Sequence, residues 1–348
     1  MAAPTDSRGA TDTADAPLDQ VPSEPTSQPV RALPGSHRHL HVPRRWWTWV
    51  AVAAWFVAVV VTSAFRGLPS TREMVFLWIV LGLFAITAGN PRAWARVILD
   101  WLPLFLILLG YDLLRGHVHD LNSRAHLQPQ IDFDRWLFGG TVPTVWLQRH
   151  FWHPNNPRPW DYVAWGVYMT HFFAALTTAA VLWKVAHARF RRFAALFVML
   201  TFAGYLTYLL YPAVPPWLAS QQHAIGHAQR VIQQMWRHVG FDAAARVFGK
   251  NSDYANPIAA LPSLHAAYPF LLALFFWKRA GRWRVLLALY PVAMALTLVY
   301  SADHYVFDIV LGWVYATVVF VGVNRFLDRR AARKAARRGG VEAAMATS

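Results

Sequence analysis

Long uncharged apolar runs constrain this 348-residue chain more than any other feature. The segments FLWIVLGLFAITA (76–88) and WLPLFLILLGY (101–111) contain no charged residue. Hydrophobic residues make up 56% of the chain, and runs of this kind are typical of transmembrane helices. We predict eight spans, of which the second and the sixth are short for a full crossing. They are 46–65, 75–90, 96–114, 161–184, 193–211, 262–278, 283–301 and 304–325.

This pattern predicts an all-α, polytopic transmembrane helical bundle. Residues 1–43 are rich in Pro, Ser, Thr and Asp and contain few large apolar side chains, so we predict a disordered cytoplasmic tail. The first two predicted spans fall in 44–95 and the remaining six in 96–326. The predicted basic cytoplasmic tail is 327–348.

The formal net charge of +15 lies mostly in short segments between the apolar runs. If the spans alternate, every basic group falls on one side, which the positive-inside rule identifies as the cytoplasm. We therefore predict a multi-pass protein of the plasma membrane with both termini inside and the loops 115–160 and 212–261 outside. This distribution accounts for the charge without a nucleic-acid partner. The chain contains no cysteine, which excludes disulfides and thiolate metal sites.

Ionisable residues are scarce within the spans, and His171 is the main exception. It is either a substrate contact or a histidine bonded within the bundle. A transporter is expected to carry several buried charges or broken helices near the middle of the membrane. The polar residues here lie instead at the outer helix ends, which favours chemistry at the membrane surface.

Two short motifs carry that chemistry. Ser263 and His265 open the sixth span. Ser263 is either a helix N-cap or a phosphate contact, because a helix start also offers free backbone N–H groups to an anion. His304 and Asp308 open the eighth span, and their spacing places the carboxylate one turn from the ring that it can orient. The two histidines are separated by 39 positions, enough for the chain to cross and return, so we expect both at the same face. We predict that His304, His265 and Asp308 are catalytic.

The motifs resemble those of the type 2 phosphatidic acid phosphatase superfamily. ALPSLHAAYP (260–269) is similar to its Pro-Ser-Gly-His signature, and SADHYVFDIVLG (301–312) to its His-x-x-x-Asp signature. YPAVPPW (211–217) and YDLLRG (111–116) resemble elements of the inositolphosphotransferase branch, which includes inositol phosphorylceramide synthases. The resemblance covers roughly 100–320, and it implies a six-helix catalytic core at 96–326 with two N-terminal transmembrane helices at 44–95 in front of it.

The chain departs from the phosphatase pattern where phosphate-binding cations belong. Thr297 and Leu298 stand in place of Ser-Arg, seven and six positions before His304. Lys250 has Pro257 at the seventh position after it but no arginine beside that proline. These losses favour the transferase branch over a plain phosphatase.

We therefore predict other groups for the substrate phosphate. The candidates are Ser263, Lys250 and Arg115, with Arg246 as a third cation. Tyr111 and Asp112 are predicted to contact the headgroup.

The resemblance implies a lipid phosphotransferase in which His304 forms a phosphohistidine and Asp308 orients it. His265 then protonates the leaving oxygen and deprotonates the acceptor. The partners are membrane lipids: a phospholipid or polyprenyl phosphate donor, and a lipid or sugar alcohol acceptor. No cofactor or metal is expected. The alternatives are a lipid phosphatase that uses water and, from the fold alone, a non-enzymatic transporter or scaffold.

Two weaker signals occur in the outer loop 115–160. Its histidines can suggest zinc, although surface side chains are the more common interpretation of such loops. Asp132 and Asp134 can suggest a lipid-linked glycosyltransferase, but the loop follows the third span rather than the first.

Overall fold

The computed structural model describes residues 46–66, 72–115, 125–239 and 259–346. Within these ranges the chain is helical, with isolated backbone bridges but no β-strand. The helices are α1 (Trp46–Arg66), α2 (Arg72–Ile86), α3 (Pro91–Arg115), α4 (Gln128–Leu137), α5 (Pro143–Phe151), α6 (Pro159–Val185), α7 (His187–Leu210), α8 (Pro216–Gln221), α9 (Val231–His238), α10 (Leu264–Phe276), α11 (Arg284–Tyr300) and α12 (Val306–Ala346).

All eight predicted spans are helices, which confirms the all-α membrane fold. In the described ranges, six are long and apolar enough to cross a bilayer: α1, α3, α6, α7, α11 with the turn before it, and α12. The predicted second and sixth spans are the shorter helices α2, with 15 residues, and α10, with 13 residues. The chain is a multi-pass membrane protein.

The short helix α10 lies at the centre of the bundle. It contacts α6, α7, α11 and α12, whereas α3 packs against α7 and α2 against α6. Asp100 joins α3 to the tight turn between α6 and α7. Its carboxylate accepts a hydrogen bond from Trp183 Nε1 at 2.9 Å and lies 2.7 Å from His187 Nε2. The bundle thus surrounds the helix that begins with the Ser263 motif.

The described parts of the two segments predicted as outer loops contain four short helices, α4, α5, α8 and α9. In α9 the buried residues Val231, Ile232, Met235 and Trp236 form one apolar face, which packs on α6. Gln148 of α5 ties these segments together, because its amide nitrogen donates to the carbonyl oxygens of Gln229 and Tyr300 at 2.8 and 2.7 Å. The described parts of these two segments therefore pack together at one end of the bundle.

Arg192, in one of the basic groups, lies at the opposite end of α12 from the motif histidines. Arg192 of α7 donates to Asn324 at 2.9 Å and to Asp328 at 2.6 Å, both on α12. Asp328 follows the start of α12 by 22 residues, about 30 Å along a helix. The His304 motif and the contacts of Arg192 thus lie at separate ends of α12.

Candidate active site

His304 lies at the turn between α11 and α12, two residues before α12 begins. The turn is sharp, and Ala302 within it has a φ of +63°, a conformation that costs a non-glycine residue energy. The His304 ring is 5% exposed, and its Nδ1 lies 3.4 Å from Asp308 Oδ2. The predicted pair forms, although His304 precedes the helix rather than lying on its face.

Asp308 is held in place by its own helix start. Its Oδ2 accepts the backbone N–H of Tyr305 at 3.0 Å, which is half of a capping box. Asp308 is fully buried. Burial beside carboxylates also raises the pKa of Tyr305, so this phenol stays neutral. A fixed carboxylate is thus presented to the Nδ1 side of the His304 ring.

Ser263 is the N-cap of α10, as the alternative interpretation of its sequence held. Its hydroxyl oxygen accepts the backbone N–H of Ala266 at 3.2 Å, and the side chain is fully buried. The hydroxyl keeps its own proton for donation to an acceptor. His265 follows in the first turn of α10, where amides lack partners within the helix.

The two motif histidines meet at this point. His304 Nε2 lies 3.4 Å from His265 Nδ1, and the ring centroids are 5.5 Å apart. Asp308, His304 and His265 therefore form a line, with the carboxylate on one side of His304 and the second imidazole on the other. This arrangement leaves the Nε2 edge of His304 as the place where a substrate can react.

Close packing between α10 and α12 sets this geometry. The Ser263 N–H donates to the carbonyl oxygen of Asp308 at 3.0 Å. One turn further along α12, a Cβ placed on Gly312 would lie closer than 3.0 Å to the Ser263 carbonyl oxygen. Tyr208 of α7 donates to the Pro262 carbonyl at 2.8 Å. Only a glycine allows the two helix starts to approach this closely.

Asp134 of α4 caps the start of α12. Its two carboxylate oxygens accept the N–H groups of Val306 and Phe307, each at 3.2 Å. Burial raises the pKa of Asp134 to about 6, against the lowering effect of these two hydrogen bonds. Asp132 instead bonds to Gln128 at 2.7 Å. The two aspartates thus have separate partners rather than forming a paired acidic site.

Arg230 is a cation beside the site that the sequence interpretation missed. Its Nε lies 3.6 Å from Asp303 Oδ1, next to His304 in the chain, and its guanidinium lies 5.0 Å from the centre of the Trp217 ring. The Arg230 side chain is 24% exposed, and its Nε is buried without a hydrogen-bond partner. No local motif marks it, since it comes from the start of α9.

The other predicted phosphate and headgroup residues lie outside the described part of the chain. They are Lys250 and Arg246, and the side chains of Tyr111, Asp112 and Arg115. Thr297 and Leu298, at the positions where the phosphatase pattern has Ser-Arg, are buried in α11.

An apolar groove of about 630 Å³ lies between α5, α11 and α12. Trp146, Leu296, Val310 and Trp313 are among its walls, together with Val306, which follows His304 by two residues. The groove runs along spanning helices and begins beside the turn that carries His304. Its apolar side chains and its position along these helices suit a hydrocarbon chain.

Comparison with known proteins agrees with this fold. A model of the PAP2 superfamily, the type 2 phosphatidic acid phosphatases, matches residues 131–322, more than half of the chain. A phosphoinositol dihydroceramide synthase of Bacteroides thetaiotaomicron is 26% identical over 314 residues, which are 81% of this chain and 95% of the relative. No solved structure matches. The chain therefore belongs to the PAP2 superfamily and is a helical membrane enzyme of lipid phosphate transfer or hydrolysis.

Proposed function

We propose that this enzyme moves a phosphoinositol-type headgroup from a phospholipid to a long-chain lipid alcohol, through a phosphohistidine on His304 at the extracytoplasmic face. The observation that carries the proposal is the line Asp308–His304–His265, in which both contacts of His304 measure 3.4 Å. A nucleophile needs an orienting partner and a proton-transfer group within reach, and this line supplies both.

In the first step the lone pair of His304 Nε2 attacks the phosphorus of the donor lipid. The bond between phosphorus and the lipid oxygen breaks, and protonated His265 gives that oxygen its proton. Asp308 holds the His304 Nδ1–H and stabilises the positive charge that develops on the ring. A phosphohistidine and a free lipid alcohol result.

In the second step the hydroxyl of the acceptor attacks the same phosphorus. Neutral His265 takes the hydroxyl proton, the P–N bond breaks, and His304 is restored with His265 protonated again. If water takes the place of the acceptor, the same two steps give a phosphatase. The choice between transfer and hydrolysis therefore depends on what occupies the acceptor position.

Arg230 is our candidate for holding the phosphate oxygens, together with the Ser263 hydroxyl. Arg230 is charged and largely buried, and its Nε lies 3.6 Å from Asp303, the residue before His304, without a hydrogen-bond partner. Fixed cations in a desolvated site stabilise charge at phosphorus without reorganisation. Lys250 and Arg115 remain predicted phosphate ligands, and Tyr111 and Asp112 remain predicted headgroup contacts.

Two observations favour lipid substrates with long chains. The apolar groove beside Val306 has a volume of about 630 Å³. It has room for one acyl chain of ordinary length, since a methylene group fills about the same 30 Å³ as a water molecule in the liquid. The relative from Bacteroides thetaiotaomicron is named for phosphoinositol and dihydroceramide. A phosphatidylinositol-type donor and a dihydroceramide-type acceptor are therefore the pair to test first.

The functional test uses purified protein in vesicles that contain a phosphatidylinositol donor and a dihydroceramide acceptor. We expect a new phosphoinositol sphingolipid from the wild type and none from His304→Ala. Asp308→Asn should retain a small fraction of the activity, because the ring stays in place without its charged partner. Free inositol phosphate as the sole product would instead identify a hydrolase, and turnover by His304→Ala would refute the nucleophile.

A donor with a nitrophenyl leaving group separates the roles of the two histidines. Nitrophenolate leaves without protonation, so His265→Ala should regain much of the 10²–10⁴-fold typical of a lost general acid. His304→Ala should regain nothing. Labelled phosphate should accumulate on the wild-type His304 when acceptor is withheld. Equal rescue of both variants, or no label on the protein, would contradict the double displacement.

A further inference from the structure

A third histidine lies directly against the reacting pair. His171 is at the middle of α6 and is 8% exposed. Its ring stacks on His265, with centroids 3.9 Å apart and planes inclined by 29°. Neither motif of the site includes His171, and the steps proposed above do not use it.

The contact is part of a longer stack of rings inside the bundle. Tyr268 stacks on His171 at 5.5 Å, and Phe197 stacks on Tyr268 at 4.7 Å. Tyr168 also stacks against His265 at 5.3 Å. The Tyr268 hydroxyl is anchored by a 2.8 Å hydrogen bond with Thr201. The His265 ring thus rests on a chain of packed, near-parallel rings rather than on solvent.

Such a contact matters because an imidazole rotates about two side-chain bonds. His265 Nδ1 meets His304 Nε2 only in one orientation of its ring, and the 3.4 Å approach records that orientation. A flat neighbour 3.9 Å away permits the ring to lie parallel to it and excludes orientations that point a ring edge into it. The stack therefore limits the His265 ring to the plane that faces the phosphorylated residue.

We infer that His171 is a positioning residue for this enzyme, which holds the His265 ring in the plane needed for proton transfer. The inference rests on the proposed role of His265 as acid and base, and it assigns no substrate contact to His171. Displacement of a catalytic group by about 1 Å can cost on the order of a hundredfold in rate. Loss of the flat ring at 171 should therefore lower turnover and leave substrate binding intact.

The test compares His171→Phe, which keeps a flat ring without nitrogen, with His171→Leu, which fills similar space without a flat ring. With a lipid donor, we expect His171→Phe to stay within about threefold of the wild-type kcat. His171→Leu should lose about ten- to a hundredfold in kcat with little change in KM. Phe173→Ala is the control, because Phe173 lies on the same helix and is 39% exposed at the outer surface of α6.

Single-turnover release of nitrophenolate gives the readout that a merely structural role would not change. That step needs no proton from His265, so the loss in His171→Leu should shrink to a few-fold with the nitrophenyl donor. Equal losses with both donors, wild-type rates in His171→Leu, or equal damage from Phe and Leu would each overturn the inference. His171→Met replaces His171→Leu if thermal unfolding in detergent shows that the latter does not fold.

This outcome is separate from that of the proposed function. Labelling of His304 decides whether a phosphohistidine forms, whichever residue stands at 171. The ratio of lipid to nitrophenyl rates in the His171 variants reports only proton delivery by His265. Absence of label, together with a lipid-to-nitrophenyl rate ratio that falls in His171→Leu and not in His171→Phe, would therefore refute the double displacement and retain the positioning role.

Discussion

Gly312 offers the sharpest single test of how the fold builds this site. Its Cα packs against the Ser263 backbone, and an added methyl group would lie closer than 3.0 Å to the Ser263 carbonyl oxygen. The obstacle is backbone, which cannot rotate away as a side chain can. Gly312→Ala must therefore move the start of α10 away from α12.

The size of the effect follows from this geometry. Ordinary van der Waals contact begins near 3.4 Å, so the helix starts must separate by roughly 0.5–1 Å. The shift stretches the bond from Ser263 N–H to the Asp308 carbonyl, and it carries His265 away from His304. We expect kcat to fall by about ten- to a hundredfold, and overpacking to cost about 1–3 kcal/mol of stability.

The assay is turnover of the lipid donor per folded molecule, with the folded fraction taken from thermal unfolding in detergent. Gly322→Ala is the matched control, because it lies on the same helix and has no heavy atom within 4 Å of the added Cβ. Gly204→Ala is intermediate, since its Cβ would meet only the flexible side chain of Leu264. Wild-type turnover per folded molecule in Gly312→Ala would refute the idea that this contact sets the histidine pair.

Three further predictions concern phosphate binding by Arg230, the cap that Asp134 forms on α12, and the orientation of the protein in the membrane. Arg230→Ala should raise KM by roughly ten- to a hundredfold, because a charged hydrogen bond to an anion is worth about 1.5–3 kcal/mol. The control Arg237→Ala, at an exposed arginine, should leave KM unchanged. Unchanged kinetics in both variants would remove Arg230 from the site. The pKa of Asp134 is about 6 in the folded state, against an ordinary value of 3.8, so the folded protein holds this proton more tightly than the unfolded chain does. The stability that this proton contributes is therefore lost as the pH rises from about 4 to 6. Asp134→Asn should abolish that share of the pH dependence of the melting temperature, and an identical pH dependence in both proteins would contradict the burial of this charge. In the cysteine-free chain, Gln222→Cys should react with an impermeant maleimide from outside and Ala188→Cys should not; the reverse would place the site on the cytoplasmic side.

The sequence by itself determined the membrane class, the helices and the histidine pair. Apolar runs of span length force helices in a bilayer, because backbone groups there must bond within their own segment. The 39 positions between His265 and His304 are enough for one crossing and return, which brought the two motifs to one end of the bundle. These features depend on local pattern and on a fixed membrane thickness, and both can be read along the chain.

Local pattern also located the Ser263 cap, but it could not decide what surrounds the pair. Asp134 caps α12 from 172 positions away, and Arg230 reaches Asp303 from the start of another helix. His171 had two interpretations in the sequence, and only the packing of α6 on α10 placed its ring on His265. Gly312 resembled any other glycine in an apolar helix until the Ser263 backbone was found against it. Such contacts join residues with no fixed spacing, so only the tertiary structure, which sets how the helices pack, decides which cation, cap and ring meet the two histidines.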